Sequence, residues 1–286
     1  MFKNIIGICL AYCLFSFCSC NENSVSNVSS VNNNNNDFKY PLNLNSYWYY
    51  GTRNFIFDLR PDSINIYFTT DTLYGYGNAK INKDTVVNSD TLTQIRNVHS
   101  LSGHPNSSVE LFRQTDSGLV RAAYYSNASN FGPFRQMNNL IFSINGNNFS
   151  DLNELLGFVK NENYQADTSL IFDDPPITVL KYPLTLNTEW EMINSATLSI
   201  NKRYVNFENV TVNAGTFYCL KIRKDFSFNK AIQDTGIVYY DYFSESGMIK
   251  RDILIKDVNV SNSSGQTIGK INIKEEAFLN LYYISK

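Results

Sequence analysis

The residues able to do chemistry in this 286-residue sequence are few: five cysteines, two histidines and some adjacent acids. Cys9, Cys13, Cys18 and Cys20 crowd into the first 20 residues, and Cys219 stands alone. A disulfide framework needs pairs spread through the folded part, and a structural zinc site needs a second ligand cluster. The spacing supplies neither. His99 and His104 bracket Ser100-Leu101-Ser102-Gly103, and two histidines can share a metal. The segment reads as a solvated loop, with no cysteine near it and no carboxylate before Glu110. Asp173-Asp174 and Glu275-Glu276 have the residue types for glycoside hydrolysis, but adjacent acids in polar stretches read as solvated surface. Cys219 reads as a buried or half-buried inert thiol, on the strand face of Phe217 and Lys221. Gly-x-Ser-x-Gly, His-Glu-x-x-His, the P-loop and the dinucleotide fingerprint are absent. No catalytic residue, metal or cofactor is expected.

Cys20 is different. Lys3 gives a short positive start, and Ile5 to Phe17 is an uncharged, mostly apolar run of 13 residues. That length suits a signal-peptide core and is too short to span a bilayer comfortably. Phe17-Cys18-Ser19-Cys20 follows, and a small residue immediately before a cysteine resembles the lipobox of bacterial lipoproteins. The resemblance implies a diacylglyceryl group on the Cys20 thiol and cleavage before it. Phe17 stands where leucine is usual. Several acyl chains on one residue make a stable anchor, at ~0.8 kcal/mol per buried CH₂. From Asn21 to Asn36, twelve of sixteen residues are Asn or Ser. Such a stretch cannot bury enough apolar surface to fold, and it reads as a tether.

The elements that follow must come from the remaining chain. It is 43% hydrophobic, 14% aromatic and 17% charged, with formal net charge −2. No excess of Lys or Arg favours nucleic acid as a partner. The clearest internal signal is a repeat. Lys39-Tyr40-Pro41-Leu42-Asn43-Leu44-Asn45-Ser46-Tyr47-Trp48 recurs as Lys181-Tyr182-Pro183-Leu184-Thr185-Leu186-Asn187-Thr188-Glu189-Trp190, identical at seven of ten positions. Asp116-Ser117-Gly118-Leu119-Val120-Arg121 pairs with Glu245-Ser246-Gly247-Met248-Ile249-Lys250. Val87 to Leu92 pairs more weakly with Val212 to Phe217. The same order in both halves points to tandem duplication. Each Ser-Gly is a turn between strand-like runs: Val109–Arg113 and Leu119–Tyr125, then Ile237–Phe243 and Met248–Lys256. Ile64, Ile66 and Phe68 alternate and predict a strand over Ile64–Thr69. One helix is expected over Asp151–Val159, capped by Ser150, with Leu152, Leu155, Leu156 and Val159 on one face. The two tryptophans read as core anchors.

The expected fold is mainly β: two tandem antiparallel half-barrel-like sheets with one short connector helix. The expected organisation is a signal peptide over 1–19, a tether over 20–38, β repeats over 39–126 and 181–286, and a connector over 127–180. Tyr-Pro-Leu with its following Trp, Val210 to Phe217 and the Ser-Gly-hydrophobic turns together resemble lipoproteins of the Bacteroidota and related phyla. Such sequences are similar to curved antiparallel sheets that wrap a helix, as in periplasmic lipoprotein carriers. The resemblance implies an outer-membrane lipoprotein held through Cys20 and carries over no catalytic residue. The functional expectation is a non-catalytic binding or structural module of the cell envelope. A carrier of lipid or another hydrophobic ligand is the alternative, and a glycan hydrolase is a weaker third.

Overall fold

Apolar residues recur with period two through most of the folded chain, which is the signature of strands with one buried face. The structure, a computed structural model, describes residues 37–68, 71–101, 104–126, 134, 139–160, 167–229 and 233–286. Cys20 and the Asn/Ser stretch lie outside these residues. The first half holds β1 (Tyr47–Arg60), β2 (Leu73–Val87), β3 (Asp90–Leu101), β4 (His104–Gln114) and β5 (Gly118–Ser126). Next come β6 (Leu140–Ile144), β7 (Asn147–Phe149), helix α1 (Leu152–Lys160) and β8 (Asp167–Lys181). The second half holds β9 (Glu189–Asn194), β10 (Leu198–Val212), β11 (Gly215–Phe228), β12 (Gln233–Ser244), β13 (Gly247–Asn262) and β14 (Thr267–Tyr283).

These strands form one antiparallel sheet in the order β8-β5-β4-β3-β2-β1-β14-β13-β12-β11-β10-β9, with β6 also paired to β13. Each half is thus a meander of six strands, and the last strand of the second half pairs with the first strand of the first. Tyr47 sits opposite Tyr283, and Ile56 opposite Ile273. The expected mainly β fold with one short helix is what the chain adopts. The halves share one sheet, and both tryptophans enter the same core cluster.

The turns repeat between halves. Asn45 and Asn187 both take left-handed backbone, with φ of 68° and 64°, which asparagine tolerates better than most residues. The Asn45 N–H donates to the Ile81 carbonyl at 2.9 Å, and the Ile81 N–H returns to the Ser46 carbonyl at 2.9 Å. The Asn187 N–H donates to the Tyr204 carbonyl at 2.9 Å, and the Tyr204 N–H returns to Thr188 at 3.1 Å. Antiparallel order places the starts of β1 and β9, the end of β14 and both Ser-Gly turns at one end of the sheet, here the lower end. The helix and the β9–β10 and β13–β14 turns lie at the upper end.

Three local readings change. Ile64–Phe68 is not a strand: Asp62–Tyr67 forms a 3₁₀ turn, with Ile64 N–H on the Pro61 carbonyl at 3.1 Å. Pro61-Asp62-Ser63 is turn chemistry, and it overrides the alternation. Ile64 and Phe68 are buried while Ile66 is 80% exposed. The helix cap is Asp151, not Ser150. Asp151 Oδ1 accepts the Asn153 and Glu154 N–H groups at 2.7 and 2.9 Å, and Glu154 reaches back to the Ser150 N–H at 2.7 Å. Finally, the stretch read as connector contains β6, β7 and the full-length strand β8. Asp173-Asp174-Pro175-Pro176 makes a bulge there, because the register jumps from Ala123↔Phe172 to Arg121↔Ile177. Proline is tolerated in an edge strand that lacks a second ladder.

Candidate functional site

Among the described residues, the inward faces of the strands carry charge at one level. In β10, Leu198 and Ile200 are buried above Lys202, and Tyr204 below it. In β11 the inward series is Phe228, Phe226, Lys224, Ile222, Leu220. In β12 it is Ile237, Tyr239, Asp241, Phe243, and in β13 Arg251 lies between Ile253 and Ile249. In β14 Glu275 lies between Ile273 and Leu279, opposite Asn54 of β1. Above this belt sits a mostly aliphatic cluster that includes Leu152, Leu155, Leu156 and Val159 of α1. Below it sits an aromatic cluster around Trp48, Tyr50, Trp190 and Tyr204. The first half continues the belt with Glu110 of β4, Arg121 of β5 and Asp173 of β8.

Charges in such a place must be paired or hydrogen-bonded. Arg121 makes a two-pronged contact with Asp173, at 2.8 and 3.1 Å, and a third bond to Glu110 at 3.1 Å. Asn97 Nδ2 donates to the other Glu110 oxygen at 3.0 Å. Burial pushes the Arg121 guanidinium down, but the bonds to Asp173 and the charge of Glu110 outweigh it, and the net shift is upward. Arg251 Nε donates to Asp241 Oδ1 at 2.7 Å. Burial raises the Asp241 carboxyl, yet Arg251, Lys224 and Lys202 hold it below its ordinary value. Lys224 also lies over the Tyr239 ring, 3.8 Å from its centre. Lys160 at the end of α1 meets Glu275 at 3.5 Å. Each half therefore sets an acid against an arginine across the strands that flank its Ser-Gly turn: Glu110 with Arg121, Asp241 with Arg251.

Lys202 serves the place where the sheet closes. β8 and β9 are the two ends of the strand path, and inward side chains of β9 and β10 bond the backbone of β8. Trp190 Nε1 donates to the Thr178 carbonyl at 3.0 Å, and Lys202 Nζ to Val179 at 3.1 Å. The Tyr204 hydroxyl accepts the Lys181 N–H at 2.7 Å and donates to the Lys181 carbonyl at 2.8 Å. Side chains thus do at this seam what a ladder does elsewhere. Burial lowers the Lys202 ammonium to a pKa of about 8, with Asp241 opposing the fall and Arg251 and Arg121 adding to it.

Several residues singled out in the sequence find other roles. Asp173 and Glu275 are not solvated surface: one acid of each pair turns inward, Glu275 by strand alternation and Asp173 at the β8 bulge, where they meet Lys160 and Arg121. Glu276 stays on the outer face with Arg53 and Lys274. Cys219 is fully buried, and burial with the nearby charge of Glu208 pushes its thiol up to about 12. His99 and His104 fall near the tip of the β3–β4 hairpin, opposite Asn106 and Leu101. The belt itself escaped the sequence reading. Its signal is a charged residue that keeps phase with an apolar alternation, as in Leu220-x-Ile222-x-Lys224-x-Phe226-x-Phe228.

The arrangement leaves little room for a guest at the level of α1, whose four inward apolar side chains are each at most 1% exposed. A cleft of about 550 Å³ opens beside the β6–β7 turn, lined by Asn145, Asp234, Lys256, Asp257, Asn259 and Lys270. Its polar lining suits water and ions, not acyl chains.

The chain matches the model of the DUF3108-like family over residues 181–263. Curated proteins give no match. Two crystal structures resemble it. One is a candidate exported protein with a YmcC-like fold from Bacteroides fragilis, 11% identical, with TM-score 0.39, covering 86% of this chain and 99% of that one. The other is a candidate lipoprotein from Parabacteroides distasonis, 9% identical, with TM-score 0.34 and the same coverage.

Proposed function

We propose that this chain is an exported lipoprotein of the bacterial cell envelope, anchored to the outer membrane through acyl chains on Cys20, and that its folded part is a non-catalytic binding or structural module built by tandem duplication. One observation carries the reading: the order of parts along the chain. A lipobox-like cysteine is followed by sixteen mostly polar residues, and the packed fold starts at Phe38, already 7% exposed. The module reading draws on the belt, where Glu110, Asp173, Asp241 and Glu275 each meet a cation. A general acid or nucleophile needs a carboxyl open to substrate. The duplication draws on the seven shared motif positions and on the matching bonds around Asn45 and Asn187. The helix side chains and the polar cleft favour a structural module over a lipid carrier. Cells fed a labelled fatty acid should incorporate it into the wild-type chain, and Cys20→Ala should abolish the label. Unlabelled wild-type protein at normal abundance would end the anchoring reading.

A further inference from the structure

The lower end of the sheet is apolar at its rim, although the core beneath it is closed. Leu44 and Leu186 occupy the same position in the two copies of the Tyr-Pro-Leu motif, and each is 43% exposed. The residues two places earlier behave differently: Leu184 is buried and Leu42 half-buried. Stacked Tyr47 and Tyr283, with ring centres 5.8 Å apart, and Leu281 extend the apolar rim along β1 and β14, all exposed. Exposed apolar groups clustered in this way mark contact with a partner.

The chain itself indicates which partner. Residues 37–46 run across this same end: Asn43 Nδ2 donates to the Ser285 carbonyl at 2.7 Å, and the Ser285 N–H to Ser46 Oγ at 3.1 Å. Sixteen residues separate Cys20 from Asp37, a reach of at most ~60 Å when extended, so an acyl anchor on Cys20 keeps a bilayer within reach of this end. The two leucines lie in the turns that lead into β1 and β9, strands separated by half of the strand path. Two apolar contacts spread across one end suit a flat occupant. Tyrosine, with an apolar ring and a polar tip, is the residue type that settles at membrane–water interfaces.

We infer that the lower rim, with Leu44 and Leu186 as its apolar contacts, docks on the surface of the lipid bilayer and holds the sheet axis upright on the membrane. This rests on the Cys20 anchoring proposed above. The test uses the full chain in phosphatidylethanolamine–phosphatidylglycerol vesicles, with Leu186→Cys, Leu44→Cys or, as a control in the upper β13–β14 turn, Ser264→Cys, each carrying a polarity-sensitive fluorophore. The lower labels should shift to the blue on reconstitution and lose emission to nitroxide-bearing lipids, while the Ser264→Cys label does neither. The inference is overturned if the lower labels emit as the upper one does. It is equally overturned if their shift is already complete without vesicles, which would assign the rim to a second copy, or follows added envelope polysaccharide instead. Fatty-acid incorporation is scored on the same samples. Quenching without incorporated label fells the anchoring reading alone, and label without quenching fells the docking alone.

Discussion

Lys202 is a cation enclosed by the fold, 3% exposed, with the Val179 carbonyl as its hydrogen-bond acceptor. Its folded pKa of about 8 lies below the ordinary lysine value of 10.5. The unfolded chain therefore keeps a proton on Lys202 through a pH range in which the folded chain has released it. Stability rises with pH wherever the unfolded state binds more protons, so the Lys202 contribution is least favourable at pH 7 and improves between about 8 and 10.5. Asp241 behaves oppositely. Its lowered pKa gives stability that is present above the unfolded carboxylate value and lost as pH falls through the folded one. Lys202→Met should thus be more stable than the wild type at pH 7, by on the order of 1–3 kcal/mol once the lost bond to Val179 is counted. That advantage should shrink toward pH 10. Urea unfolding of both proteins at pH 7, 8.5 and 10 measures the gap. A gap that does not change with pH would show that Lys202 titrates like an exposed lysine.

Elements formed where neighbouring residues decide them, and those were legible. The Ser117-Gly118 and Ser246-Gly247 turns sit between the expected strands, and α1 lies within one residue of its expected bounds. Gly247 has a further reason to be glycine. Its φ is +100°, and an added Cβ would lie 2.7 Å from Trp48 Nε1. The helix cap was less legible, because Ser150 and Asp151 are both good caps by type and only the geometry chooses between them. Asp151→Ala should cost about 1 kcal/mol, and Ser150→Ala distinctly less, since the Ser150 hydroxyl donates a single exposed bond, to the Glu154 carboxylate at 2.8 Å, and caps no helix N–H. Thermal or urea melts of the two single variants decide this, and equal losses would refute the assignment. The belt was hidden for another reason. Lys202-Arg203 and Lys224-Asp225 each pair an inward with an outward charge, and composition alone cannot say which is which. Strand phase could have said so in β11, where the apolar alternation is unbroken. In β5 and β8, bulges between Arg121 and Ala123 shift the phase, so Arg121 and Asp173 could not have been found from the sequence.

At the scale of the whole molecule, two six-stranded meanders meet twice, and the two junctions differ. β14 meets β1 by a long ladder from Tyr283↔Tyr47 to Lys270↔Arg60. β8 meets β9 and β10 through the side chains of Trp190, Lys202 and Tyr204. Ladder bonds are many and individually replaceable, whereas the Tyr204 hydroxyl alone serves both the N–H and the carbonyl of Lys181. Its loss leaves two part-buried backbone groups wanting partners at the edge of the aromatic cluster, at up to ~1–3 kcal/mol each, the cost of a buried group left unsatisfied. Tyr204→Phe keeps the ring and its edge-on contact with Trp190, 4.9 Å between centres, so the effect isolates the hydroxyl. The seam should then open locally before the sheet unfolds as a whole, because opening β8 there breaks side-chain contacts and leaves the β1–β14 ladder intact. Hydrogen exchange followed by mass spectrometry should show faster exchange in the peptide that spans Thr178–Lys181, with protection in β1 and β14 unchanged. Uniform loss of protection across both junctions would mean that the sheet closes as a single cooperative unit, and that the side-chain seam is no weaker than the ladder.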